Sequence, residues 1–209
     1  MTLPATASSK PGDERQVRRA RAAGAVARTV IVAVLLLLAW ASWTGAQQDE
    51  LSEYQLKAAF IYNFAKFVEW PGDAFADGSA PLRICVLGEN PFGGELARTV
   101  EGKKINGRGL TVKQFSDSRM AKGCHVLFVS ASERGHVPQV LDTLRDSSTL
   151  TVSETREFIR MGGMITFLME DGKVRFEVNL RASEQARLKI SSKLLSLARR
   201  VWSLSDGKG

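Results

Sequence analysis

Two cysteines and two histidines are the only thiol and imidazole groups in this 209-residue chain. A zinc site drawing on Cys85, Cys124, His125 and His136 is not expected, because Cys124 and His125 are adjacent on an expected strand and point to opposite faces. No CxxC pair is present, which excludes the usual dithiol redox motif. GxSxG is missing as well. Gly88, Gly93 and Gly94 fit neither GxGxxG nor GxxxxGK(S/T), so a plain turn is expected there rather than a phosphate cradle. Ser130, Ser132 and His136 lie close in sequence, but a triad is defined by geometry and not by spacing. Glu69, Glu89, Glu95, Glu154, Glu157, Glu170 and Glu177 are scattered, and such carboxylates are ordinarily solvated or ion-paired. Arg175, Glu177 and Asn179 alternate along one strand, facing either a cleft or, more commonly, solvent. No catalytic residue, metal ligand or cofactor is assigned, and the chain reads as a binding module rather than an enzyme.

Long apolar runs are also scarce. The longest, Thr29 to Trp43, follows a segment with Lys10, Arg15, Arg18, Arg19, Arg21 and Arg28 against only Asp13 and Glu14. Thr44-Gly45-Ala46 then places small residues where a signal peptidase reads. This order of basic region, apolar region and cleavage site is that of a secretory leader, expected over residues 1–46 with cleavage after Ala46. An uncleaved anchor is the alternative, although the run is at the short end for crossing a bilayer. Either form puts the remainder outside the cytoplasm, and the expected location is the periplasm.

Removing the leader changes the charge. It carries +4 of the net +7, leaving +3 for the single domain expected over 47–209. No basic stripe with interleaved aromatics remains, so nucleic acid is not an expected partner. In an oxidising compartment an even cysteine count favours a disulfide between Cys85 and Cys124. A buried pair of free thiols is the alternative.

The densest aromatic stretch runs from Ser52 to Pro71, with Tyr54, Phe60, Tyr62, Phe64, Phe67 and Trp70. Ser52 and Gln55 have the form of a capping box, and Pro71 ends the helix by forcing Trp70 out of the helical region. At helical steps the apolar residues cover an arc of roughly 200°, about twice what one sheet requires. Either the domain covers this helix on two sides or a second chain does. Tyr54, Phe60, Phe64 and Phe67 are the candidate contacts with a partner or a second copy.

Downstream, short apolar runs alternate with helical patterns. Strands are expected at Leu82–Leu87, Leu110–Phe115, Cys124–Val129 and Leu150–Val152. A helix opened by Asn90 and Pro91 should run to about Val100, and another from Ser132 to Arg145. Lys103 to Gly109 reads as a turn-rich basic connector. Met164–Glu170 and Val174–Asn179 flank Asp171-Gly172, a strong hairpin signal. Ser183 to Trp202 reads as a final helix. The expected fold is an α/β Rossmann-like layered domain, a mostly parallel sheet with an antiparallel edge hairpin.

Several blocks carry a resemblance. LKAAFIYNFAKFVEWP (Leu56 to Pro71), RICVLG, GCHVLFVS, GGMITF, VRFEVN and the final LKISSKLLSLA resemble the YfiR family over nearly all of the chain after the leader. The resemblance implies a periplasmic Rossmann-like protein without established catalysis. The best-studied member type is a repressor that holds an inner-membrane diguanylate cyclase inactive through that enzyme's periplasmic domain. An outer-membrane peptidoglycan-binding lipoprotein sequesters it, cysteine redox state affects it, and members dimerise. Cys85 and Cys124 look like one of the family's cysteine pairs. Some members carry a second pair around the Gly-Gly segment, where this chain has Ile159 and Thr166.

The expected function is that of an exported, non-enzymatic repressor in cyclic-di-GMP signalling. Its expected partners are an inner-membrane signalling protein, an outer-membrane lipoprotein and a second copy of itself. The alternative is a periplasmic small-molecule sensor or carrier linked to a transporter or sensor kinase, with its ligand in a crevice near Gly88 to Gly94.

Overall fold

The computed structural model describes residues 53–203. The expected leader, its cleavage point after Ala46 and the capping residue Ser52 lie outside these residues. The aromatic stretch forms α1 (53–67). Its apolar residues recur every three or four positions, so Ala58, Ile61, Phe64 and Ala65 share one buried face. The helix stops before Trp70 because β1 (Val68–Glu69) leaves to pair antiparallel with β9 (Lys189–Ile190).

The remaining strands are β2 (Leu82–Leu87), β3 (Lys104–Ile105), β4 (Arg108–Phe115), β5 (Val126–Val129), β6 (Leu150–Ser153), β7 (Ile165–Glu170), β8 (Lys173–Asn179) and β10 (Arg200–Trp202). They form one eight-stranded sheet in the order β10-β8-β7-β6-β5-β2-β4-β3. The strands from β4 through β7 are parallel, as is the pair β8–β10. Only β7–β8 and β3–β4 are antiparallel. The fold class is therefore the expected mostly parallel α/β layer.

Leu82–Leu87 forms the expected strand, bracketed by Pro81 and Gly88. Asp171 and Gly172 both have positive φ, 51° and 69°, as a two-residue hairpin turn of the primed type requires. That hairpin lies one strand in from the edge, because Arg199 N–H bonds to Phe176 O at 2.9 Å and leads β10 in beside β8. The basic connector contains a second turn of the same kind. Asn106 and Gly107 have φ of 51° and 80° and join β3 to β4.

The helices that follow are short, beginning with α2 (Glu95–Val100), α3 (Val137–Thr143) and α4 (Leu180–Gln185). Asn90 does cap a turn, accepting from Phe92 N–H at 3.0 Å, but the helix itself starts only at Glu95. The single helix expected from Ser183 to Trp202 does not form. Arg187 takes φ 59° and ends α4, and the chain extends into β9. Ser191 then caps α5 (Ser192–Leu195) by accepting from Leu194 N–H. Leu188 and Leu194 are buried while Leu197 stays exposed, so separate short pieces, not one helix face, satisfy the apolar spacing.

Both faces of the sheet are covered, as a parallel sheet requires. On the front, a cluster including Ile84, Val86, Val126, Phe128, Phe167 and Phe176 packs against α1, α2 and α4. On the back, Leu87, Leu127 and Val129 pack against Val137, Val140 and Leu144 from α3 and the residues that follow it, and against Phe158. Phe64 is fully buried, 5.6 Å from Phe167 and 5.0 Å from Phe176 between ring centroids. Replacing it by alanine removes this contact and leaves a cavity. Phe64→Ala is expected to lower stability by about 3–5 kcal/mol, measured by denaturant unfolding at equilibrium.

Candidate functional site

The side chains of α1 divide sharply. Phe64, one of the four residues expected to meet a partner, is sealed in the core and cannot touch another chain without unfolding. The front of β7 and β8 is aromatic, and Phe64 is the residue that fills it. Tyr54, Phe60 and Phe67 are half-buried. Tyr54 meets Phe92 edge-on at 5.6 Å and donates to the Glu154 carboxylate at 3.2 Å. Phe60 borders the same aromatic cluster, 5.6 Å from Phe176. Phe67 lies between Lys66 and Lys193, at 5.7 and 5.3 Å.

Much of the apolar surplus is thus absorbed by the domain itself. What is left is a stripe of Leu56, Phe60, Asn63 and Phe67, spaced four, three and four residues apart on one helix face. Leu56 is 46% exposed. Lys66 and Lys193 are exposed beside the stripe, and Lys103 covers Tyr62 at 4.4 Å. The helix is anchored at its start by Lys57, 3% exposed, which meets Glu53 at 2.5 Å and Glu154 at 2.6 Å. A lysine removed from water in this way needs such carboxylates.

Cys85 and Cys124 are joined by a disulfide, with Cα atoms 6.0 Å apart. Cys85 is on β2, and Cys124 lies just ahead of β5, the strand that pairs with β2. Both are buried in the back cluster. The next residue, His125, is also buried, and both ring nitrogens are used. Nδ1 accepts from Arg83 N–H at 3.0 Å, which leaves Nε2–H to donate to Ala74 O at 3.1 Å. Phe75 stacks on the ring at 4.3 Å. Burial holds the imidazole well below its usual range, at about 4, with Arg83 and Arg108 also opposing protonation. His125 thus fastens the segment after β1 to the entry end of the central strands.

At Gly88, the first residue of the expected Gly88 to Gly94 crevice, neighbouring side chains stand close. A side chain at that glycine would meet Ser132 Oγ at 2.4 Å and Glu133 Cγ at 2.8 Å. Ser132 Oγ accepts from Glu89 N–H at 3.0 Å. His136 pairs instead with Glu133 at 3.3 Å, so the serines and His136 have separate partners. Two larger grooves lie elsewhere. One groove of about 940 Å³ runs between α3 and α4, with Leu141, Leu144, Thr149, Met161 and Ala186 among its lining. A second, of about 560 Å³, lies on the back of the sheet at the β8–β10 edge. Glu177 lines it, as one of the two readings of the Arg175-Glu177-Asn179 alternation requires; Asn179 instead caps α4 by accepting from Ala182 N–H at 3.0 Å.

These elements make a layered α/β domain with grooves and a half-covered aromatic helix, its serines and His136 engaged separately. The chain belongs to the YfiR/HmsC-like family, whose model matches residues 54–199. That family is a periplasmic regulatory domain, and the disulfide fits an oxidising compartment. Two solved structures are similar at 12% identity and a TM-score of 0.45: a conserved domain protein from Vibrio cholerae O1 biovar El Tor, and the ABC domain from Streptococcus pneumoniae in complex with L-Trp. Each match covers 57% of this chain, which in turn spans only 54% of each of those chains.

Two outcomes are expected. The disulfide closes a loop over a separation of 39 residues. Replacing both cysteines by alanine should lower stability by about 4 kcal/mol by loop entropy, measured against the oxidised protein in urea. For His125 the sign follows from its lowered pKa: the unfolded chain binds a proton that the folded one refuses. Its contribution is therefore complete above pH 6.5 and is lost as pH falls from 6.5 through about 4. The melting temperature should drop across that window, and His125→Asn, which keeps an acceptor for Arg83 N–H, should flatten the drop.

Proposed function

We propose that this chain is a periplasmic repressor that holds an inner-membrane diguanylate cyclase inactive by binding the cyclase's periplasmic part, and so limits cyclic-di-GMP. The observation that carries the reading is the outward stripe of α1. Leu56, Phe60 and Phe67 leave apolar surface on a helix whose other face is fully used, and that remaining surface supports a contact with another protein. An outer-membrane lipoprotein that competes for the chain would relieve the repression. A second copy of the chain is a further occupant for the same stripe.

A small-molecule sensor or carrier is the second reading. It is supported by the groove of about 940 Å³ between α3 and α4, a volume in the range of ligand sites.

Deleting the gene should raise cellular cyclic-di-GMP, and the rise should vanish when the candidate cyclase is deleted too. Leu56→Glu should keep the unfolding midpoint and lose repression. Unchanged cyclic-di-GMP in the deletion strain would sink the repressor reading and favour the sensor, to be tested by thermal stabilisation with a metabolite panel.

A further inference from the structure

The groove at the β8–β10 edge has a charge imbalance. It is lined by Arg156, Arg160, Arg199 and Arg200 against Glu157, Glu170 and Glu177. The carboxylates are already engaged. Arg199 takes Glu170 at 2.8 Å and reaches Glu177 at 3.8 Å, Glu157 pairs with Arg134 at 3.1 Å, and Glu177 accepts from Trp202 Nε1–H at 2.9 Å. Arg156, Arg160 and Arg200 are exposed and have no carboxylate partner among the described residues. The Arg200 guanidinium carbon lies over the Trp202 ring, 3.8 Å from its centroid, a cation–π contact that holds the side chain at the groove. Beside this groove lies β10. Among the described residues no strand pairs with the outer edge of β10.

We propose that β10 is a docking edge for an extended acidic segment of a partner protein. The segment adds to the sheet beside β10 through main-chain hydrogen bonds. Every second side chain then projects over the back of the sheet, where a carboxylate meets Arg156, Arg160 or Arg200. Charged side chains can also simply guard an edge against pairing. These arginines do more, because they crowd a concave groove and one is held on an aromatic ring. A guanidinium binds a carboxylate through two parallel hydrogen bonds, so an acidic strand fits where a basic or neutral one does not. The inference rests on the partner-binding reading and supplies a second surface, distinct from α1.

The test uses the purified protein and a fluorescein-labelled peptide of alternating glutamate and threonine, followed by anisotropy. Binding should be salt-sensitive. It should weaken about tenfold or more in Arg156→Ala/Arg160→Ala, whose unfolding midpoint should not move. Leu56→Glu should bind the peptide normally. The same peptide N-methylated at every second residue should bind far less, as should a lysine-threonine peptide. Absence of acidic-peptide binding, or binding indifferent to the arginines or to N-methylation, overturns the inference. Displacement by citrate at equal carboxylate concentration also overturns it, in favour of a small-anion site. Peptide binding without any cyclic-di-GMP phenotype would sink the cyclase reading and leave the docking edge standing, whereas full repression by the double arginine variant would sink the edge as the repressor's contact.

Discussion

The ring of Phe64 lies against Phe167 and Phe176, with Phe60 alongside, and this contact fixes how α1 lies on the sheet. A mostly parallel sheet cannot leave its front to water, and α1 is the principal cover over β7 and β8. Its two ends are tied down by different chemistry. At the start the Lys57 ion pairs reach Glu154, just beyond β6. At the end the backbone itself takes over, as β1 pairs with β9. The helix direction is thereby set, and so is the side from which Leu56 and Phe67 face outward. The contact surface follows from the packing, because whatever the aromatic cluster does not need is left outside.

The back of the sheet is built less generously. α3 covers β2 and β5, and Phe158 fills part of the space beside them, so closely that a side chain at Gly163 would meet its ring at 2.2 Å. Beyond that, the back carries Thr151, Ser153 and Thr166 and then the groove beside β10. Both large concavities lie where this thin layer runs out. The asymmetry separates two tasks: the aromatic front supplies stability and one helical surface, and the polar back supplies recesses and an open strand edge.

Much of this was readable from local chemistry. The Leu82–Leu87 strand was visible because Pro81 and Gly88 bracket a continuous apolar run, and the β7–β8 hairpin because Asp-Gly suits positive φ at both turn positions. Asn106-Gly107 carried an equally good signal but lay in a segment read as a connector, so β3 was missed. The final helix failed for another reason. Ile190, Leu194, Leu197 and Val201 have helical spacing, yet the pairing of Ile190 with Val68 is a contact across more than half of the domain, and no local window contains it. Phe64 shows the limit for sites. Aromatic spacing identified the helix and its surplus, but which rings face inward depends on Phe167 and Phe176, on strands far away in sequence. The β10 groove had a trace in the alternation of Arg175, Glu177 and Asn179, but its arginines come from two other segments, 156–160 and 199–200.

The disulfide has one more consequence. It sits inside the back cluster beneath Leu144 and Phe158, with Cys85 fully buried and Cys124 6% exposed. A reductant in solution cannot reach sulfur there until the sheet parts locally. The rate of thiol exchange at this bridge is then governed by how often the middle of the molecule opens, not by the potential of the surroundings alone. Cys85 and Cys124 are in this sense a clock for breathing of the β2–β5 seam, and any partner that quiets that motion would slow it.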